Sequence, residues 1–271
     1  MLMGKSKKRI DQLLVERGLF TSREQARRSI MAGLVYVNQQ RVDKPGTNVD
    51  LEATVEIKGE LHPYVSRGGL KLAKALTAFQ IDVTGLTAID VGASTGGFTD
   101  CLLQHGAKKV YAVDVGYGQL DWKLRNDPRV VVMERTNIRY VTTADIGELA
   151  DIATIDVAFI SLTKFFASLL QLLTDEGQVV ALIKPQFEVG RELVGKKGVV
   201  RDFNIHLELL KTLVPQLQSF GAGLVNLDYS PIRGPEGNVE YLAHFIKGYP
   251  IIDCQDIAYR VVQAAQSDPN L

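Results

Sequence analysis

The sequence predicts an α/β protein built on a doubly wound sheet, with a small α+β domain ahead of it. Three observations carry that expectation. From about residue 70 onward, strand-like and helix-like segments alternate, the pattern of a parallel sheet with crossover helices. Within it, a buried strand-like run at 88–91 leads into a glycine-rich turn and then a helix, an arrangement that brings backbone N–H groups up to a ligand. The first sixty residues differ in kind, with short helices, short strands and a local excess of positive charge. Domains are therefore expected at 1–60 and 70–271, joined by a linker at 61–69 that carries Pro, Ser and Gly.

Residues 8–18 read as a short helix with Ile10, Leu13 and Leu14 on one face and Gly18 as its stop. Thr21 and Glu24 offer a capping box for a second helix that ends near Gly33. On that helix Ala26 and Ile30 can face a core. Arg23 and Arg27 share another face, with Arg28 beside them. Residues 34–42 read as a hairpin around Asn38, and residues 51–57 as a further strand. The whole chain has zero formal net charge, yet between positions 5 and 44 ten Lys/Arg face four acids. A local basic patch is what phosphate contact requires. Lys7, Lys8, Arg9, Arg23, Arg27 and Arg28 are the candidate RNA contacts. The spacing of Arg9, Ile10, Asp11, Leu14 and Gly18, then Ser22, Arg23 and Ala26, then Ile30, Gly33, Val35, Val37 and Asn38 resembles the αL RNA-binding motif. That motif occurs in a ribosomal small-subunit protein, pseudouridine synthases and tyrosyl-tRNA synthetase. One departure is Gln39, where glycine usually follows the asparagine.

Composition excludes several classes. No apolar run approaches the roughly 20 residues that span a bilayer. The basic N-terminus lacks the apolar core of a signal peptide. Cys101 and Cys254 stand far apart without metal-ligand spacing, and four histidines are scattered. A cytoplasmic protein with reduced thiols and no metal is expected, with its oligomeric state left open.

In the larger domain, strands are expected at 88–91, 109–115, 130–134, 152–156 and 178–184. Helices are expected at 97–105, near 119–125, at 163–173 and at 203–219. Two final strands, near 222–229 and 239–246, are close enough in sequence to be antiparallel.

Three chemistries compete for the turn Asp90-Val91-Gly92-Ala93-Ser94-Thr95-Gly96. A nicotinamide or flavin loop wants glycine at position 94, where serine stands. A hydrolase elbow, G-x-S-x-G, is matched literally by residues 92–96. Its histidine would have to be His206 or His244, yet one lies in an apparent helix and the other in a strand. The third reading is S-adenosyl-L-methionine, which uses an acid two residues before the first glycine, Asp90. It also uses an acid ending the next strand, Asp114, able to accept both ribose hydroxyls. The hydrolase reading accounts for neither acid. The cofactor residues expected are therefore Asp90, Gly92, Ala93, Ser94, Thr95, Gly96 and Asp114, with Asn137 placed to meet the adenine.

Methyl transfer to a ribose hydroxyl needs help in removing the proton. A lysine can give it where burial favours its neutral form and carboxylates position it. Lys71, Asp156, Lys184 and Glu240 lie on four separate segments. Asp156 and Lys184 end apolar strands, where doubly wound folds place their ligands. Glu236 is a nearby rival to Glu240.

These four residues resemble the Lys-Asp-Lys-Glu tetrad of FtsJ-like ribose 2′-O-methyltransferases. The stretches VSRGGLKL, ERTNIR, KPQFEVGR and GVVRD, with the turn at 90–98, resemble the TlyA family, also called hemolysin A. The resemblance implies a Rossmann-like class I methyltransferase sheet and 2′-O-methylation of a ribosomal RNA cytidine. It implies that Lys184 deprotonates the 2′-OH, Asp156 holds Lys184, and Lys71 and Glu240 complete the network. The polar stretch from Phe187 through residues 195–198 suggests a substrate lid. Two other readings stand beside the enzyme: a non-catalytic RNA-binding protein, and a membrane-lysing hemolysin.

Overall fold

The computed structural model describes residues 7–31, 33–58 and 63–271; the Arg28 side chain, Lys5 and residues 59–62 of the linker region lie outside the described set. The chain forms two compact units, Met1–Pro63 and Tyr64–Leu271.

In the first unit, β1 (Lys7–Arg9) is followed by α1 (Ile10–Glu16) and α2 (Arg23–Met31). Strands β2 (Val35–Val37), β3 (Gln40–Arg41), β4 (Asn48–Asp50) and β5 (Val55–Ile57) complete it. β1 pairs with β4, while β2 lies between β3 and β5. Ile10, Leu13, Leu14, Ala26 and Ile30 meet Val35 and Val37 in a small core, as the helical spacing predicts. The cap of α2 sits one residue later than expected. Ser22 Oγ accepts the Gln25 N–H at 3.2 Å, and Gln25 Oε1 accepts the Thr21 N–H at 3.1 Å. Asn38 and Gln39 both take positive φ, +50° and +67°, which is the signature of a two-residue hairpin turn. Residues 51–54 turn rather than extend, because Asp50 accepts the amides of Glu52 and Ala53 at 3.0 Å.

The second unit opens with α3 (Gly68–Ala78), a helix that the linker reading did not anticipate and that begins inside the expected linker. There follow β6 (Thr87–Val91), α4 (Gly97–Gln104), β7 (Lys109–Val113), α5 (Trp122–Arg125) and β8 (Val130–Met133). Next come α6 (Thr143–Ile146), β9 (Ala150–Ile155), α7 (Phe166–Leu170) and β10 (Leu173–Ile183). The unit closes with α8 (Pro185–Glu188), α9 (Phe203–Gln218), β11 (Ala222–Tyr229), β12 (Tyr241–Lys247) and α10 (Gln255–Ser267). The helix expected at 163–173 is shorter, a 3-10 turn at Leu162–Lys164 followed by α7.

Seven strands form one sheet in the order β11-β12-β10-β9-β6-β7-β8. The five from β6 to β10 are parallel; β12 runs antiparallel to both neighbours. Ile89, Val91, Ala153 and Ile155 pack against the layer of α7, α9 and α10. Ala88, Val110, Ile152 and Val180 face α3, α4 and α5. Both sides are covered, so the strands read as apolar runs rather than alternations. The chain builds outward from β6 through β7 to β8, then returns to the other side of β6 with β9. Doubly wound sheets open a ligand crevice at such a reversal, at the carboxyl ends of the strands. Among the described residues no helix is long and apolar enough to cross a membrane.

Candidate active site

The turn at the carboxyl end of β6 sits at that reversal. Gly92 and Gly96 have φ of +84° and +96°. A Cβ on Gly92 would lie 2.5 Å from the Asp156 carbonyl oxygen, and one on Gly96 would run into Leu124. Glycine is thus required at both places, by backbone conformation and by close approach. Ser94 and Thr95 are exposed at the crest of the turn, and Ala93 is buried beneath them. Asp114, just past β7, accepts the amides of Ser94 at 2.7 Å and Gly116 at 2.6 Å. It therefore fixes the turn while each of its oxygens keeps a free lone pair. The hollow beside it has apolar walls from Ala93, Ala112, Leu120 and Val132, with Asp114 and Glu134 as its acids. Apolar walls suit a purine, a carboxylate suits vicinal hydroxyls, and the bare backbone of the turn suits a close-lying chain. These residues fit an adenosine cofactor.

Asp90 departs from its expected place. It is fully buried, with Thr99 Oγ1 donating to it at 2.6 Å and Thr154 Oγ1 at 3.1 Å. Burial raises its pKa to about 7, against those two hydrogen bonds and with help from the charge of Asp156. It is a strut that ties β6 to α4 and β9 beneath the turn. Asn137 caps the 3-10 turn Ile138–Tyr140, its Oδ1 accepting the Arg139 amide at 3.1 Å.

Lys71, Asp156, Lys184 and Glu240 converge as two ion pairs. Lys184 Nζ lies 2.5 Å from Asp156 Oδ1, at the ends of adjacent parallel strands. Lys71 Nζ lies 2.5 Å from Glu240 Oε2, with side chains 8% and 1% exposed. Burial pushes the Glu240 pKa up, while the charges of Lys71 and then Lys184 pull it back, so both pairs share one field. α3 places Lys71 in its first turn, and its opening residue, Gly68, stands near Asp156 Oδ2. Glu236 is exposed on the turn before β12, while Glu240 is inside.

Among the described residues the hydrolase alternative finds no triad. Ser94 Oγ donates to Gln119 Oε1 at 3.2 Å. His206 is held by Tyr241 and the Val200 carbonyl, and His244 by Gln178 and Asn226. Cys101 and Cys254 are free and buried. Among the described residues no group of three or more His, Cys, Asp or Glu could hold a metal ion.

In the first unit Asp11 is wholly buried between two of the candidate RNA contacts. Arg9 bonds to it twice at 3.0 Å and Arg23 once at 2.9 Å. Hydrogen bonding from Arg9 brings Asp11 down to about 2 although burial opposes it. Both guanidiniums stay about half exposed, so Asp11 orients them without hiding them. Lys8 pairs with Glu16, while Lys7 and Arg27 are exposed.

Phe159, which the sequence reading left out, and Glu188, which it placed only in a lid stretch, lie a few residues beyond Asp156 and Lys184. Phe159, three residues after Asp156, is 89% exposed with φ +66°. Its ring lies 4.9 Å from that of Phe187. Glu188 accepts the Leu162 amide at 2.9 Å, joining α8 to the same loop. The usable signal was an aromatic residue in the short loop directly after a strand that ends in a candidate catalytic acid.

Residues 64–247 match the FtsJ-like methyltransferase family, and residues 8–55 match the S4 domain. The chain belongs to the FtsJ-like methyltransferase family. It is 54% identical over 243 residues to "Putative rRNA methyltransferase YqxC" of Bacillus subtilis, covering 89% of this chain and 86% of that one. It is 46% identical over 234 residues to "16S/23S rRNA (cytidine-2'-O)-methyltransferase TlyA" of Mycobacterium tuberculosis, covering 86% and 87%. Among solved structures, "Putative hemolysin from Streptococcus thermophilus" superposes with a TM-score of 0.77 at 49% identity, over 97% of each chain. As a family member the chain is an S-adenosyl-L-methionine-dependent methyltransferase, and its sheet has the class I arrangement that the sequence predicts.

Proposed function

We propose that this FtsJ-like methyltransferase modifies the ribose 2′-OH of a cytidine in ribosomal RNA, acting in the cytoplasm. The observation that carries the reading is the pair of ion pairs, Lys184–Asp156 and Lys71–Glu240, gathered at the carboxyl ends of the strands beside the Gly92 turn. The likeness to the 16S/23S rRNA (cytidine-2'-O)-methyltransferase of Mycobacterium tuberculosis, at 46% identity, supports cytidine and ribosomal RNA as the target.

S-adenosyl-L-methionine, when bound, supplies an electrophilic methyl group. The protein's own residues do the rest. The N-terminus of α4 would present backbone N–H groups to the cofactor, while the turn amides of Gly92, Ala93, Ser94 and Gly96 are bonded within the protein and hold the turn's shape. Asp114 would accept from the cofactor's ribose hydroxyls, and the walls at Ala93, Leu120 and Val132 would receive its adenine. Lys184 Nζ, once it has given up its own proton to solvent, would take the proton from the 2′-OH as the oxygen attacks. Asp156 fixes the direction in which Nζ points. Lys71 and Glu240 set the field around that pair and hold α3 to β12. Phe159 offers an exposed ring on which the target base can rest. Holding oxygen and methyl in line supplies much of the acceleration. The S4 domain holds the RNA through phosphate contacts from Lys7, Lys8, Arg9, Arg23, Arg27 and Arg28.

Mass-spectrometric mapping of ribose methylation on ribosomal RNA tests this, with wild type and Lys184→Ala side by side. Wild type should place one methyl on a cytidine ribose, and Lys184→Ala should place none while binding the cofactor as well as wild type. Methylation of a base, or an active Lys184→Ala enzyme, would refute the assignment.

A further inference from the structure

Asp156 and Lys184 must stay paired across a place where β9 and β10 no longer bond to each other, although the Asp156 amide still bonds to the Val91 carbonyl and Ile183 still pairs with Tyr241. The last backbone pair between β9 and β10 is Ile155 with Ala181. Beyond it β9 gives way to the loop 156–161, while β10 runs two residues further beside β12 before Lys184 and α8. The loop also carries Phe159 in a left-handed conformation, which an L-residue with a large side chain keeps only when its surroundings impose it.

Among the described residues, two contacts from α8 cross that gap besides the ion pair. Phe187 packs on Phe159, and Glu188 Oε1 accepts the Leu162 amide at 2.9 Å. Pro185 starts α8 immediately after Lys184, so its fixed φ links the catalytic lysine rigidly to the turn that bears Glu188. Glu188 Oε2 is buried and has no hydrogen-bond partner among the described residues. An exposed anchor would not need to bury a carboxyl oxygen unpaired. This one is retained where it reaches the loop amide.

We propose that Glu188 is a positioning residue for methyl transfer, clamping the loop that carries Asp156 and Phe159 to the turn that follows Lys184. The proposal rests on the ribose-methylation reading above. Burial raises the pKa of Glu188 against the hydrogen bond from the Leu162 amide. Glutamine should replace it well, since its amide oxygen reaches the same N–H. Alanine removes the acceptor, and aspartate falls one methylene short.

The test uses the full chain as Glu188→Ala, Glu188→Asp and Glu188→Gln. Exchange of the Leu162 amide reads the clamp directly, whether or not RNA is turned over. It should quicken about tenfold or more in the Ala and Asp variants and stay near wild type in Gln. In methyl transfer, Ala and Asp should lose about tenfold or more in kcat/KM, mostly through kcat, with cofactor affinity within about twofold of wild type. Gln should restore both parameters. Should the Ala variant fail to fold, Asp carries the same comparison. Leu162 exchange unchanged in the truncated variants would overturn the proposal. So would quickened exchange with wild-type kcat and KM, or a Gln variant as impaired as Ala. A wild-type enzyme that leaves ribose unmodified would instead sink the functional reading and the proposal's catalytic half, and the exchange data would still decide whether the clamp exists.

Discussion

Replacing Glu240 with alanine should cost the protein stability and activity together, and the two losses can be separated. The Lys71–Glu240 pair is the most enclosed of the ion pairs, with side chains 8% and 1% exposed and a contact of 2.5 Å. Its four-residue cluster is neutral as built, two lysines against two carboxylates. Glu240→Ala leaves one positive charge in excess inside it, because Asp156 is already committed to Lys184. Truncating one member of a buried pair costs about 3–5 kcal/mol, mostly the desolvation of the abandoned charge. For a unit of the size of Tyr64–Leu271, each kcal/mol moves Tm by about 2–4 °C, so the fall should be roughly 6–20 °C. Glu240→Gln keeps an acceptor for Lys71 and should lose less. The double variant Lys71→Met/Glu240→Leu removes both charges and should recover most of the lost Tm, because apolar replacement of a whole buried pair is close to neutral. None of the three should methylate RNA. Calorimetric unfolding and a methyl-transfer assay on the same preparations give both readings. A fall in Tm under about 2 °C for Glu240→Ala, or a double variant less stable than either single one, would refute the buried-pair reasoning. An active double variant would remove the pair from the reaction.

Gly92→Ala should displace Asp156, since its Cβ would meet the Asp156 carbonyl at 2.5 Å with φ at +84°. Thermal unfolding should show a loss of at least about 1–3 kcal/mol, whereas Gly147→Ala, with positive φ but open space, should show the backbone cost alone. Asp114→Asn should weaken S-adenosyl-L-methionine binding by about 10–100-fold in calorimetric titration, the worth of hydrogen bonds to a charged acceptor. An unchanged affinity would remove Asp114 from the cofactor site. Burial lowers His244 from 6.5 to about 4, so the unfolded chain takes up a proton first as the pH drops. Stability from this residue is complete above pH 6.5 and is lost progressively toward pH 4, about 3 kcal/mol in all. Asp90, raised to about 7, acts in the opposite sense over the same window, since its contribution fades as pH rises from 3.8. The measurement is therefore the difference in denaturant midpoint between wild type and His244→Gln at pH 7 and pH 4.5. A difference that does not change with pH would refute the assignment.

The doubly wound sheet was legible because each apolar run is bounded by glycine or a charge at the end where the crevice opens. The direction of Asp90 was not. In a sheet covered on both faces, alternation leaves no polar side to read, so a carboxylate at 90 looks the same whether it points at a ligand or into a layer. Register resolves it: Asp90 stands opposite Thr154, on the face that Ala88 presents to α3 and α4. With Thr99 on α4 donating from above, that parity makes Asp90 internal. The helix α3 escaped notice because its start, Ser66-Arg67-Gly68-Gly69, has the composition of a turn. Those glycines are there for packing: a Cβ on Gly69 would strike the Tyr64 ring, and one on Gly97 would come within 2.9 Å of the Gly69 amide. Close approach of two helix starts demands the same residues that ordinarily mark flexible chain.

The choice between Glu236 and Glu240 shows what local sequence can decide. Glu236 sits in Gly234-Pro235-Glu236-Gly237, where the Gly234 amide bonds to the Asn238 carbonyl and the Gly237 amide to that of Gly234. A chain folded back so tightly leaves its side chains in water. Glu240 follows Val239 and precedes the fully apolar start of β12, and both neighbours are buried. An acid there is carried into the interior by the strand that follows it and must find a cation. The sequence thus identifies which glutamate is buried, while the partner, 169 residues away, is set only by the packing of α3 against the sheet. The same holds for Glu188 and Leu162: a carboxylate one turn beyond Lys184 is visible in the sequence, but the amide it holds belongs to another strand's loop. Residue type and element boundary fix which groups are available for chemistry; topology decides which of them meet.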